Sequence, residues 1–169
     1  MTEVTAVTAE YQVPPSWMGA GLEMRRLDSI SVIEVAAWPG GEAALEKLLA
    51  VTGKDCRNTL HLAPHRYWLL NAAARSQILA AAQDLAVTEV SDALIIMRLS
   101  GPQALPLLDR ALPIDLHTSQ FASGDSATTV LDDITLTVLN RGDAIDVFCR
   151  RSLGAALWHA LRPISEQPG

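Results

Sequence analysis

The chain is short of the residues from which several kinds of protein are made. Two cysteines, Cys56 and Cys149, in 169 residues allow no disulfide framework and show no ligand spacing, which fits a reducing compartment. Aromatic residues make up 5% of the sequence, and no apolar run reaches the about 18 residues of a membrane span. Residues 1–10 have neither basic residues nor an apolar run, so no secretory signal is expected there. Lys and Arg total 13 against 19 Asp and Glu, a net charge of −6. The cations are scattered apart from the pairs Arg25-Arg26 and Arg150-Arg151, so nucleic acid is not an expected partner. No nucleophile elbow, phosphate loop or dinucleotide fingerprint is present. Ser100-Gly101-Pro102 offers too few backbone donors to cradle a phosphate.

What is present is apolar and periodic. Hydrophobic residues make up 49%, with a mean hydropathy of +0.19, which argues against disorder. A chain of this length buries roughly 70% of its unfolded surface, enough for one α+β domain over residues 25–165. An N-terminal arm over 1–24 and a tail over 166–169 complete the expected organisation. Val13-Pro14-Pro15-Ser16-Trp17 favours an irregular arm, with Trp17 and Met18 as its anchors if it docks.

The centre of the chain is the stretch 91–116. Residues 93–99 form a strand that is apolar on both faces, as a central strand should be. After Ser100-Gly101-Pro102 a helix follows. Ala104, Leu105, Leu107, Leu108, Ala111 and Leu112 share one face, and Pro113 is the stop. Pro106 predicts a late start or a distorted first turn. Around this unit the pattern predicts strands over 30–37, 67–71, 87–90, 127–131, 134–139 and 144–149. It predicts helices over 42–51 and 75–85, and one capped by Ser152 and ended by Pro163. That last helix presents Leu153, Ala156, Leu157, Ala160 and Leu161 inward. Thr135 and Thr137 suggest that the 127–139 hairpin is half exposed, with Asp132-Asp133 at its turn. Residues 54–60 read as loop.

Gly41-Glu42-Ala43-Ala44-Leu45 echoes Gly101-Pro102-Gln103-Ala104-Leu105. The echo suggests pseudo-repeats over 28–86 and 87–162. The expected fold is two similar ferredoxin-like halves with mostly antiparallel sheets, sharing one layer of helices.

Candidate chemical groups are few. His61, His65, His117 and His159 lack metal-ligand spacing. Cys149 reads as a core residue on a strand, and Cys56 lies in a polar loop beside Lys54 and Arg57. Arg150-Arg151-Ser152 flanks a helix start and reads first as structural. Asp115 stands out in the apolar run Pro113-Ile114-Asp115-Leu116. It can cap the next turn, or it can hold a cationic or amino-bearing ligand.

Four segments, in order, resemble the gamma subunit of heterotetrameric sarcosine oxidase. They are residues 62–70, with Leu62-Ala63-Pro64 and Tyr67-Trp68-Leu69; residues 88–102, with Thr88-Glu89-Val90-Ser91 and Leu99-Ser100-Gly101-Pro102; residues 107–128, with Pro113-Ile114-Asp115-Leu116, Phe121 and Gly124; and Arg151-Ser152 through Leu157-Trp158. Ala63, Pro106 and Ala111-Leu112 depart from the family pattern. The resemblance implies a fold related to the folate-binding domain of the glycine-cleavage T-protein, with Asp115 at the position that handles a one-carbon amine in that wider group. It implies a structural, non-catalytic subunit of an oxidoreductase acting on CH–NH donors. Such an enzyme oxidatively demethylates sarcosine to glycine and passes the one-carbon unit to tetrahydrofolate. The implied partners are the alpha, beta and delta subunits. FAD, FMN, NAD, tetrahydrofolate and zinc are expected on those partners, and none on this chain. A cytoplasmic location is expected. The alternative is a stand-alone folate- or amine-binding protein that uses Asp115.

Overall fold

The computed structural model describes residues 13–19, 21–51, 58–71, 78 and 84–166. Among these residues, ten strands form two antiparallel sheets. Sheet I runs β1-β2-β7-β10-β9-β8, from Ser16–Gly19, Leu22–Leu27, Leu94–Ser100, Ala144–Arg150, Ile134–Asn140 and Ser126–Leu131. Sheet II runs β4-β5-β3-β6, from Thr59–Ala63, Arg66–Leu70, Val32–Ala37 and Leu85–Glu89. The helices are α1 (Glu42–Val51), α2 (Ala104–Ala111) and α3 (Gly154–Glu166).

Strand periodicity explains the layers, because alternate residues face opposite sides of a sheet. On sheet I, Ile95, Met97 and Leu99 of β7 join Leu107 and Leu108 of α2 and Leu157 and Trp158 of α3 in one core cluster. The opposite face carries Leu94, Ile96, Leu139 and Phe148, which pack on Val32, Leu60 and Leu70 of sheet II. The rings of Trp68 and Phe148 meet across this seam, 5.9 Å apart. Ile33, Val35 and Leu69 point the other way, onto Leu45 and Leu48 of α1 and onto the helical residue Ile78. The sheets therefore pack on each other with helices outside. The expected single shared helical layer is corrected accordingly: each sheet has one face too apolar to leave open and another that its own helices cover.

Sheet II is built from one stretch of chain, in the order strand, helix, strand, strand, strand, with helical Ile78 in the last connection. Its ferredoxin-like spatial order puts the unit's second, third, first and fourth strands side by side. Sheet I repeats this order in β9-β10-β7-β2, with its fourth strand taken from the N-terminus. The arm expected over 1–24 is thus replaced from Ser16 onward by the hairpin β1–β2, with Trp17 opposite Met24 and Met24 fully buried. Trp17 packs against the core, whereas Met18 is exposed. The repeat boundary at 86/87 falls inside β6, which pairs with β3 along its whole length.

Other differences have local causes. Residues 59 and 60, read as loop, open β4, and Leu85, read as the end of a helix, opens β6. Pro106 sits in the first turn of α2, before the first i to i−4 bond, from Leu107 N–H to the Gln103 carbonyl (3.0 Å). Its missing N–H is one that a helix start leaves unpaired in any case, so the turn forms without a late start. Thr137 is buried because its face of sheet I lies in the seam, and its hydroxyl pairs with that of Thr128 at 3.0 Å. On the same face Thr128, Val130 and Thr135 are exposed, so the turn end of the hairpin is half exposed, as expected, and only Thr137 is covered. Ser152 lies inside a short 3-10 turn, Arg151–Leu153, rather than capping α3. The buried face of α3 is Gly154, Leu157, Trp158 and Leu161, with Ala156 outward. The helix continues past Pro163 to Glu166. The helix predicted over 75–85 otherwise falls outside the described residues, as does Cys56.

Candidate functional site

β8 is an addition to the ferredoxin-like order, and it creates the site. It runs antiparallel to β9. The chain leaving α2 must therefore cross to the far end of sheet I before β8 can begin. Residues 112–125 are that crossing. Asp109 anchors its start, accepting the Leu116 N–H at 3.2 Å. Buried Asn140 anchors its end: the side-chain amide donates to the Phe121 carbonyl (2.8 Å), the side-chain oxygen accepts Gly142 N–H (2.7 Å), and the backbone carbonyl accepts Gly124 N–H (2.7 Å).

Between this crossing and the β4–β5 edge of sheet II lies a cleft of about 480 Å³. Thr59, His61 and Tyr67 line one wall. Ile114, Asp115, Gln120 and Phe121 line the other, and Gly124 to Ala127 close it. The His61 N–H donates to Ser126 Oγ at 3.2 Å, which ties the two walls together. The His61 and Tyr67 rings meet at a tilt of 35°, with centroids 4.9 Å apart.

Asp115 lies where both of its readings apply. Its Oδ1 accepts the His117 N–H at 2.8 Å, closing the next turn. It is also exposed at the cleft. His117 Nδ1 pairs with Ser119 Oγ at 2.8 Å. Asp125 Oδ2 accepts the Ala122 N–H at 2.7 Å. The remaining candidates lie apart. His65 sits at the β4–β5 turn with φ 59°, and His159 is exposed on α3. Asp132, with φ 50°, and Asp133 form the β8–β9 turn. The Arg151 Nε donates to the Asp92 carbonyl at 2.6 Å, a structural use of that cation. Cys149 is buried in the α2–α3 core, where burial pushes its thiol up to about 11, well away from thiolate chemistry at neutral pH. Among the described residues, no group of three His, Cys, Asp or Glu is placed to hold a metal ion.

Sequence reasoning missed two arrangements. His61 shows only the absence of metal-ligand spacing in the sequence, and nothing in the local pattern places it on Tyr67 beside Asp115. The second is a buried ionic cluster in the seam. Asp146 of β10 is fully buried, and Arg98 of β7 meets it through two bonds, Nε at 2.7 Å and a terminal nitrogen at 2.9 Å. Arg141 Nε meets the same carboxylate at 2.7 Å. The bonds to Asp146 are the main cause holding the Arg98 guanidinium above its ordinary range. One signal was legible: a lone Arg and a lone Asp in two apolar strands need each other if both strands are central.

No family model matches the chain, and no curated protein matches it. Among solved structures, it is similar to a chain of the heterotetrameric sarcosine oxidase from Corynebacterium sp. U-96, a structure in complex with pyrrole 2-carboxylate. The TM-score is 0.72 at 23% identity, covering 98% of this chain and 94% of that one. Weaker likenesses are to the Clostridium acetobutylicum aspartate kinase (TM-score 0.44, 7% identity, 92% of this chain and 36% of that one) and to the regulatory subunit of the Thermus thermophilus aspartate kinase (0.42, 12%, 86% and 97%). The resemblance read in the sequence is therefore met at the level of fold: along nearly its whole length, the chain is built like a heterotetrameric sarcosine oxidase chain of nearly its own size.

Proposed function

We propose that the chain is the gamma subunit of a heterotetrameric sarcosine oxidase. The observation that carries this reading is the fold match at TM-score 0.72 over almost all of both chains. The four sequence segments that resemble the gamma subunit support it. In this reading the alpha, beta and delta subunits hold FAD, FMN, NAD and tetrahydrofolate. The assembly oxidises sarcosine to glycine, reduces oxygen to peroxide and passes the one-carbon unit to tetrahydrofolate. This chain contributes a double-sheet body that packs against the larger subunits and supplies no catalytic residue.

The test is to tag the chain in its native host, purify it under mild conditions and identify the accompanying chains by mass. The expected result is a yellow assembly containing flavoprotein chains, with sarcosine-dependent peroxide formation. A colourless chain purified alone from cells that express those flavoproteins overturns the reading.

One observation favours a second reading, a free-standing folate or amine binder: Asp115 lies at a cleft of ligand size. Under that reading, ligand at 100 times its dissociation constant raises stability by about 2.7 kcal/mol, and Asp115→Ala removes the gain.

A further inference from the structure

A sheet edge presents unpaired N–H and C=O groups, and folds blunt their edges with short strands, prolines, charges or bulges. Among the described residues, β1, β8, β4 and β6 are the edges. β1 has four residues and follows Pro14-Pro15. β4 has a register break between His61 and Ala63, and its His61 N–H is taken by Ser126 Oγ at 3.2 Å. β6 ends on the charged Glu89. β8 has none of these devices. Its six residues, Ser-Ala-Thr-Thr-Val-Leu, include no charge and no proline, and they pair with β9 without a break.

The Asn140 N–H donates to the Asp125 carbonyl at 2.9 Å, which fixes the phase of that ladder. In an antiparallel pair, residues that bond across alternate with residues that do not. Ala127, Thr129 and Leu131 therefore turn their backbone groups to β9, and Ser126, Thr128 and Val130 turn theirs outward. No described strand pairs with those outward groups. The side chains of Thr128 and Val130 are exposed as well, Val130 by 45%.

The strand is neutral, but acids bracket it. Asp125 precedes it and Asp132-Asp133 follows it, all exposed, and none forms an ion pair among the described residues. This charge pattern selects the occupant. A second copy, paired antiparallel to the first, would bring Asp125 of one chain near Asp132-Asp133 of the other at both ends, and like charges across a strand pair repel. A strand with Lys or Arg at both ends and uncharged β-branched residues between them meets the acids with opposite charge, and it meets Thr128 and Val130 with side chains of their own kind. We propose that the β8 edge is the docking site for such an extended segment of another polypeptide, which joins sheet I antiparallel to β8 with its basic ends beside Asp125 and Asp132-Asp133. The proposal goes beyond the subunit reading above and does not rest on it.

The test is amide NMR and hydrogen exchange of the full chain titrated with the end-blocked peptide Lys-Thr-Val-Thr-Val-Thr-Lys. The control is Glu-Thr-Val-Thr-Val-Thr-Glu. With the Lys peptide, saturable shifts along β8 and slowed exchange of the Thr128 and Val130 N–H groups are expected. The Glu peptide should bind about three- to thirtyfold more weakly. Val130→Pro removes one outward N–H, leaves the bonds to β9 in place and should abolish saturation. Asp132→Asn with Asp133→Asn keeps a turn that Asn suits and should narrow the gap between the two peptides. If Val130→Pro does not fold, the Asn pair decides. The proposal is overturned if the Lys peptide does not saturate, if the Glu peptide binds equally well, or if a folded Val130→Pro chain binds as before. Protection of Thr128 and Val130 that appears on concentrating the chain without peptide also overturns it, since a second copy is then the occupant.

Discussion

The two sheets follow one plan by different routes. Sheet II takes its four strands from one stretch of chain. Sheet I takes three core strands from the C-terminal half and borrows β2 from the N-terminus. Two glycines show how closely the plans correspond. Gly41, ahead of α1, lies so near the Asp84 carbonyl that a Cβ would sit 2.3 Å from that oxygen. Gly101, ahead of α2, stands in the same relation to the Gly21 carbonyl, at 2.4 Å. Asp84 immediately precedes β6, and Gly21 immediately precedes β2. In both units the turn into the helix lies against the backbone entering the fourth strand. The repeat is therefore circularly permuted in its second copy, and the echo of Gly41 in Gly101 marks a backbone contact rather than a ligand loop.

Removing residues 1–27 should have the largest effect on this correspondence. It takes the fourth strand from sheet I, uncovers the β7 edge and removes buried Leu22 and Met24. Circular dichroism melts should show loss of cooperative unfolding, and the product should aggregate. The single change Met24→Ala should cost about 2–5 kcal/mol. If the truncated chain melts like the whole one, the hairpin is not part of the unit.

Asp146→Ala comes next. It leaves Arg98 and Arg141 in the seam without their carboxylate, which should cost about 3–5 kcal/mol in urea unfolding. Sheet II has no counterpart of this cluster among the described residues. The matched change there, Glu34→Ala, removes a partner of half-exposed Arg66 and of the Trp68 indole N–H and should cost less.

Gly101→Ala should cost about 1–3 kcal/mol, because φ is +98° and the new methyl meets a carbonyl. Gly41→Ala meets the carbonyl without a positive φ and should cost less. Equal costs would mean that the close approach alone matters.

The smallest effect concerns α1. Glu42 is held below its ordinary 4.5, chiefly by its own backbone N–H and then by that of Gly40. A carboxylate depressed in the folded state stabilises the fold above its unfolded value. That contribution is lost as pH falls below 4.5 and through the lower folded value. Glu42→Gln should therefore flatten the stability curve slightly on its acid side and leave it unchanged in shape at neutral pH.

Much of this was legible in the residues. α1 was predicted at its observed bounds, Glu42–Val51, because Ala44, Leu45, Leu48 and Leu49 share one face and Glu42 suits the first turn. β7 and β10 were expected within a residue of their ends, since apolar runs between Gly and Asp turns leave little choice. β2 is not legible although Leu22 and Met24 alternate with Glu23 and Arg25, because Pro14-Pro15 just before it favours an irregular arm. The face of α3 was misjudged by one position. Alanines count as apolar in a pattern but bury little, so Trp158 decides the rotation, with Gly154 beneath Ile95. Asp115 was singled out, but its cleft companions were not, since His61, Tyr67 and Asp125 come from separate stretches.

By itself, the sequence determined most of the elements and many of their apolar faces, because helix and strand periods are local properties that a few neighbouring residues declare. Only the tertiary structure decided what each face meets. A period says that Leu94 and Leu139 are buried, not that they close on a second sheet. It shows Arg98 and Asp146 as charges in apolar strands, not as partners 48 residues apart. It leaves the N-terminus without a place until β7 offers an edge. These are long-range contacts, set by how the two sheets complete and cover each other, and no window of the chain contains both sides of them.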